Sequence, residues 1–222
     1  MKKFALIVAG GSGNRMNSNV PKQFLELLGR PVLMHTMEAF HRYDHAIKLI
    51  LVLPETWISF WEDLCKKHNF NLEHQLISGG KVRFQSVQNG LREIYEDGIV
   101  FIHDGVRPLV SRETIHNCYE IAVKKGNSLP VIPVSESIRE VNKNQSRAVD
   151  RSGYFLVQTP QTFRVALIQK AYKNADSDDY TDDASVLENM GESINLTEGN
   201  RENIKITFPE DILFAEAILS HQ

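Results

Sequence analysis

Short apolar runs alternate with stretches of helical periodicity along most of this 222-residue chain, and that alternation narrows the folds open to it. Ile47 to Leu53 reads as a strand, after which Trp57, Trp61, Leu64 and Cys65 recur at helical spacing. Leu76-Ile77-Ser78 ends a short strand at Gly79-Gly80, and Phe84, Val87, Leu91 and Ile94 mark the next helix. Ile99 to Ile102 is a strand closed by His103-Asp104-Gly105. A helical stripe of Ile115, Cys118, Tyr119 and Ala122 follows, then a strand from Leu129 to Val134. Continuous apolar strands separated by amphipathic helices predict an α/β fold, with a mostly parallel sheet covered by helices on both faces. The length suits one large domain, or a domain with an appendage.

The alternation breaks between Pro133 and Thr159. Ser135 to Val141, the polar turn Asn142 to Ser146, Ala148 to Arg151 and Tyr154 to Val157 predict a hairpin too polar for buried sheet strands. A lone two-stranded hairpin is marginal in water, which favours an arm gripping another subunit over a local flap. Helical periodicity returns at Ile168, Ala171, Tyr172 and Ala175. A last strand, Ile204-Lys205-Ile206, is expected before a helix from about Pro209 to Leu219, with proline in its favoured first turn.

The formal net charge of −3 argues against a face that binds duplex nucleic acid, which is usually basic. A single nucleotide needs only a few local cations. The two cysteines, Cys65 and Cys118, lack a CxxC partner and lie in amphipathic patterns, so they read as reduced core thiols in a reducing, cytoplasmic compartment. Met1-Lys2-Lys3 and the apolar run after it imitate a signal peptide. The run is too short, and it ends in glycines rather than a small-residue cleavage site, so a first strand is the better reading. No stretch approaches the length of a membrane span.

That first strand, Phe4 to Val8, empties into Ala9-Gly10-Gly11-Ser12-Gly13-Asn14-Arg15-Met16, and Pro21-Lys22-Gln23-Phe24 follows. Glycines let the backbone approach a ligand and turn its N–H groups inward, and Arg15 and Lys22 then stand ready to neutralise charge on phosphorus. The GxxxxGK[ST] loop is absent. Met16 stands where a dinucleotide loop needs its third glycine, and no strand-end acid for an adenosine ribose appears near Leu28–Met34, which disfavours a dehydrogenase. A tight turn with two ordinary surface cations is the bland alternative; both cations behind one loop favour a phosphate site. Asp104 ends a strand, where open α/β sheets bind ligands, so it holds either a ribose hydroxyl or a Mg²⁺ shell, or merely braces the turn with Arg107. Arg107 is otherwise suited to clamp a second phosphate. Gly79-Gly80, with Ser86, either reads a base edge or forms a plain strand–helix turn. The five aspartates from Asp176 to Asp183 read better as a solvated loop and helix N-terminus than as a metal site, with Thr181 a cap or a substrate contact. Lys205 faces solvent or a site.

These segments together, with Val149-Asp150-Arg151, Gln158-Thr159-Pro160-Gln161, Thr181-Asp182-Asp183-Ala184-Ser185 and Asn203-Ile204-Lys205-Ile206-Thr207, resemble the 2-C-methyl-D-erythritol 4-phosphate cytidylyltransferases over nearly the whole chain. The resemblance implies a Rossmann-like nucleotidyltransferase sheet and a homodimer joined by a swapped β-arm at about 133–154. It implies that CTP lies over Ala9, Gly10, Gly11 and Gly13, with cytosine read near Gly79, Gly80 and Ser86 and the ribose near Asp104. The catalytic set it implies is Arg15, Lys22, Arg151 and Lys205: the first two stabilise the transition state at the α-phosphate, and Lys205 holds methylerythritol phosphate together with Arg107, Thr159 and Thr181. Ser137 and Arg151 would reach the partner's site from the arm, and Mg²⁺ would ride on the triphosphate rather than on a protein metal site. Gly10 and Gly105-Val106 stand where the family often has alanines, and Ser137 where threonine is expected. The related ribitol-5-phosphate cytidylyltransferases share the first loop, Pro-Lys-Gln and Thr-Pro-Gln; Val-Asp-Arg and Thr-Asp-Asp-Ala-Ser lie closer to the isoprenoid enzymes. Ribitol phosphate as acceptor, and a non-enzymatic nucleotide-binding module, remain the alternatives.

Overall fold

A computed structural model describes residues 1–10, 20–143 and 145–221. In chain order the elements are β1 (Lys2–Val8), a 3-10 turn (Lys22–Phe24), β2 (Glu26–Leu27), β3 (Arg30–Pro31), α1 (Val32–Tyr43), β4 (Lys48–Leu53), a 3-10 turn (Glu55–Trp57), α2 (Ile58–Lys67), β5 (Gln75–Ser78), α3 (Arg83–Arg92), β6 (Gly98–Asp104) and α4 (Arg112–Lys125). Then come β7 (Asn127–Pro133), β8 (Ile138–Asn142), β9 (Gln145–Val149), a 3-10 turn (Arg151–Gly153), β10 (Phe155–Val157), β11 (Gln161–Arg164), α5 (Val165–Asn174), α6 (Asp183–Glu188), β12 (Leu196–Glu198) and α7 (Pro209–Leu219).

Among the described residues an eight-stranded sheet runs β10-β7-β11-β6-β1-β4-β5, with β12 also on β7. Strands β5, β4, β1 and β6 are parallel. β11 runs antiparallel between β6 and β7, and β10 is antiparallel on β7 farther along it. One hydrophobic core, with Met37, Phe40, Trp61 and Ile115, covers one face; another, with Phe84, Leu91, Ile168 and Leu187, covers the other. Strands buried on both faces read as unbroken apolar runs, which is why β1, β4 and β6 are visible in the sequence.

Chain direction sets the position of the ligand crevice. From β1 the chain steps outward to β4 and β5, then returns to place β6 on the other side of β1. That reversal opens a crevice at the carboxyl ends of β1 and β6, where open α/β sheets bind ligands. Val8 lies level with Asp104 there.

Two expectations are corrected. Residues 203–207 form no strand: β11 already occupies the edge of β6, and the segment is held instead by the Ile206 N–H on the Val106 carbonyl (2.9 Å). Only β8 and β9 form the separate hairpin, and Tyr154–Val157 is not its return, because Phe155–Val157 pairs back onto β7 in the main sheet. Helix α1 went unread although Val32, Leu33, Thr36, Met37 and Phe40 repeat at helical spacing on its buried side. The short strands β2, β3, β11 and β12 are likewise additions to the expected elements. Helix α7 has the expected bounds.

Candidate active site

Three strand exits converge at the carboxyl edge. The Ala9 N–H donates to Val52 O (3.0 Å), Gly79 N–H to Leu53 O (2.7 Å) and Gly105 N–H to Val8 O (2.9 Å), so the sheet ladder carries each loop to its starting point. The exits crowd one another. A Cβ on Gly105 would stand 2.8 Å from the Ala9 Cβ, which makes glycine the residue that lets β1 and β6 leave side by side. A Cβ on Gly10 would lie 3.6 Å from the Ser86 hydroxyl, so the first loop and the Gly79–Ser86 turn share one wall. Ser86 Oγ accepts the Gly80 N–H (3.0 Å) and donates to Val82 O (3.2 Å), which fixes the turn. Gly11, Gly13 and Arg15 lie among residues 11–19, outside the described residues.

Lys22 is held beside the first strand exit by its neighbours. Gln23 Nε2 donates to Ala9 O (2.7 Å), and the Phe24 ring packs against Trp57, Phe60 and Trp61 at centroid distances of 5.8, 5.2 and 6.3 Å. A polar latch and an aromatic anchor therefore pin the turn on which Lys22, 8% exposed, is carried. Neither Gln23 nor Phe24 was singled out for this from the sequence; the Pro-Lys-Gln string was the available signal.

Asp104 is the electrostatic centre. Lys205 Nζ lies 3.0 Å and Arg107 Nε 3.3 Å from its Oδ2, and Arg83 Nε lies 3.9 Å from its Oδ1. Burial alone would raise its pKa, but Lys205, Arg83 and Arg107 together hold the carboxyl well below the ordinary carboxylate range. Arg107 also donates from Nη1 to Asn203 O (2.7 Å). The Lys205 side chain, 44% exposed, is the open member of the group and the one best placed to meet an arriving anion.

A buried chain of hydrogen bonds supports this centre. His103 Nε2 faces Arg107 O (3.1 Å), which only accepts, so Nε2 carries the proton. Burial pushes the imidazole down to about 4, and it is neutral near pH 7. Nδ1 therefore accepts from the Thr159 hydroxyl (2.9 Å), which in turn accepts the Asp104 N–H (3.1 Å). Asn203 Nδ2 donates to Thr159 O (2.8 Å) and to Gln158 Oε1 (3.3 Å). Thr159 thus lies in the frame beneath Asp104 with its hydroxyl bonded on both sides.

The acidic segment is only partly a solvated loop. Asp182, not Thr181, caps α6, accepting the Ser185 N–H at 3.0 Å. Asp183 is fully buried and pairs with Arg83 through two bonds of 2.7 Å each. Thr181 is exposed beside them. Arg83 and Asp183 were missed as a pair because 100 positions separate them. Ser137 and Arg151 are exposed on the connections flanking the hairpin, away from this group's hydrogen bonds, with Arg151 donating to Ser135 O.

Elsewhere a groove of about 1030 Å³ lies at the amino ends of β1, β4 and β5, among Phe4, His41, His45, Phe70 and His74. It sits at the wrong end of a parallel sheet, and two of its carboxylates are engaged by basic neighbours, Glu38 by Arg30 and Glu96 by Lys48. The carboxyl-end crevice is the better candidate.

Comparison with known proteins identifies the family. Residues 4–221 match the profile of a family described as 2-C-methyl-D-erythritol 4-phosphate cytidylyltransferase. Proteins of that name from Bacteroides fragilis and Phocaeicola vulgatus are 51% and 49% identical to this chain, each over 99% of it and 100% of their own length. The crystal structure of the protein of that name from Thermus thermophilus superposes with a TM-score of 0.80 at 30% identity, covering 99% of this chain and 100% of that one. The 4-diphosphocytidyl-2C-methyl-D-erythritol synthase of Anaerococcus prevotii gives 0.83 at 27% identity, covering 99% of this chain and 96% of its own. The ribitol alternative and the non-enzymatic module find no support in these similarities. With a full-length profile match and relatives near half identity, this chain belongs to the 2-C-methyl-D-erythritol 4-phosphate cytidylyltransferase family.

Proposed function

We propose that the crevice at the ends of β1 and β6 is where this enzyme transfers CMP from CTP to 2-C-methyl-D-erythritol 4-phosphate, releasing pyrophosphate and forming CDP-methylerythritol. The reaction is the family's; the division of labour among the residues is our reading. The observation that carries it is convergence: the Ala9-Gly10 loop, the Gly79–Ser86 turn and the Asp104–Arg107–Lys205 group meet at one sheet edge.

A phosphate oxygen of the acceptor attacks the α-phosphorus in line and pyrophosphate leaves. The obstacle is electrostatic, because an anion approaches an anion and charge gathers on the equatorial oxygens. Fixed cations and correct placement lower that barrier. No general base is needed, since a phosphate monoester is already ionised near neutral pH. In this reading Lys22, with Arg15, faces the α-phosphate. Gly10 offers backbone to the triphosphate, with Gly11 and Gly13, while Ala9, its N–H and carbonyl engaged by Val52 and Gln23, fixes where that loop starts. Gly79, Gly80 and Ser86 meet the cytosine, and Asp104 the ribose. Lys205, Arg107 and Thr181 take the acceptor, over the frame that Thr159 braces.

Mg²⁺ does not fit a protein-built site here. The oxygens of Asp104 already face three cations, and no cluster of three or more acidic, histidine or cysteine ligands occurs among the described residues. We assign Mg²⁺ to the CTP phosphates.

The homodimer is part of the proposal. β10 is an edge strand whose Phe155, Leu156 and Val157 are 46, 53 and 43% exposed beside Tyr154 at 52%. An apolar open edge next to a lone hairpin is a surface suited to a second copy. Swapping that arm would carry Ser137 and Arg151 to the neighbouring crevice. The two free thiols, Cys65 and Cys118, with Cys118 pushed up to about 12 by burial, support placement in the reducing cytoplasm. Pyrophosphate release measured in parallel with methylerythritol phosphate and ribitol phosphate tests the reading: turnover should favour the first acceptor, and a preference for ribitol phosphate would refute it.

A further inference from the structure

Three consecutive side chains at the start of α3 reach the same distant segment. Arg83 holds both oxygens of Asp183 at 2.7 Å. The Phe84 ring stacks on Tyr172 (centroids 4.6 Å, 18° between planes) and on Tyr180 (5.8 Å, 28°). Gln85 Nε2 donates to Asp178 Oδ2 (2.8 Å). The next residue, Ser86, belongs to the turn that lies against Gly10. A single helical turn therefore touches the 176–183 segment on one side and the first loop on the other.

The far end of this link is rigid. Tyr172 OH donates to Asp183 Oδ1 (2.6 Å), and the N–H groups of Asp183 and Ala184 both donate to Gln161 Oε1, at 2.9 and 2.8 Å. Gln161 belongs to β11 and pairs with Ile102 of β6, so the start of α6 is bolted to the strand that ends in Asp104. A buried ion pair is a poor source of net stability, because desolvation offsets most of the attraction. What a bidentate guanidinium–carboxylate pair does supply is a fixed distance and orientation.

We propose that the first turn of α3, through Arg83–Asp183 and Gln85–Asp178, is a positioning element that sets how closely the loop carrying Thr181 stands to the nucleotide turn. In this reading Arg83 contacts neither substrate and acts through Asp183. The proposal rests on the reading that Gly79–Ser86 meets the nucleotide and Thr181 the acceptor.

The test uses the full-length enzyme with CTP and methylerythritol phosphate, and the variants Arg83→Lys, Gln85→Ala and Asp178→Ala. Gln85 and Asp178 form an exposed pair, so their variants keep the fold intact even where Arg83→Lys does not; Gln85 Oε1 also accepts the Lys81 N–H (2.9 Å), so Asp178→Ala is the variant that removes the link alone. Lysine keeps the charge but cannot hold both carboxylate oxygens, so Arg83→Lys should raise the acceptor KM roughly tenfold. Calorimetric CTP affinity without acceptor should stay within about twofold of the parent. Gln85→Ala and Asp178→Ala should each raise the acceptor KM about threefold, and the double variant should be no worse than either, as expected for a coupled pair. Unchanged acceptor KM in Asp178→Ala, additive single effects, or equal weakening of CTP and acceptor by Asp178→Ala would overturn the proposal. Failure of the functional reading shows separately, as parent enzyme that does not turn over methylerythritol phosphate.

Discussion

Lowering the pH from 7.5 to 5.0 should cost this fold about 2 kcal/mol through one buried imidazole, that of His103. The group is wholly buried, with Nε2 bonded to Arg107 O and Nδ1 to the Thr159 hydroxyl. Burial pushes its pKa from 6.5 down to about 4, with the Asp104 carboxylate and the Arg107 guanidinium pulling in opposite directions as smaller effects. The unfolded chain thus takes up the proton first as the pH falls. The stabilisation is complete above pH 6.5 and is lost progressively towards pH 4. A depression of about 2.5 units corresponds to about 3 kcal/mol in full, of which about 2 is gone by pH 5.0. Urea unfolding of the parent and of His103→Gln at both pH values isolates the effect, because glutamine keeps a donor and an acceptor but does not titrate. The parent should lose about 2 kcal/mol more than the variant over that interval. Equal losses in the two proteins, or an NMR titration of His103 near 6.5, would refute the reasoning.

Lys22→Ala should lower kcat roughly 10²- to 10³-fold, the range for removing one preorganised donor to a charged transition state, with the circular dichroism spectrum unchanged. Phe24→Ala, which empties the ring contacts with Trp57, Phe60 and Trp61, should cost about 3–5 kcal/mol in urea unfolding and reduce kcat as well, because the turn carrying Lys22 loses its anchor. Mixing Arg151→Ala with Lys22→Ala should restore activity in heterodimers that retain one intact composite site; no restoration would argue against a shared site. In glutaraldehyde cross-linking or sedimentation, replacing Leu156 with Lys on the exposed β10 edge should shift the enzyme towards monomer.

What was legible in the sequence followed from burial. β1, β4 and β6 are covered on both faces and leave continuous apolar runs, and the loops that follow β5 and β6 carry Gly79 and Gly105, where an added Cβ would crowd Ser86 Oγ and the Ala9 Cβ. What was not legible depends on partners far apart in the chain. Asp183 looks like one more acid in a solvated run until Arg83 reaches it across 100 positions, and residues 204–206 alternate like a strand although β11 has taken the edge they would need. The exposed hairpin has a polar pattern that any surface loop shares, so where it ends, and that Phe155–Val157 rejoins the sheet, is decided by pairing with Val131–Pro133 rather than by local composition.

Crystals of the enzyme with CTP test the central claim most directly. The triphosphate should lie over Ala9 and Gly10 with its base against the Gly79–Ser86 turn, at the carboxyl ends of β1 and β6. An ordered nucleotide in the groove of Phe4, His41, Phe70 and His74, at the opposite end of the same strands, would contradict it.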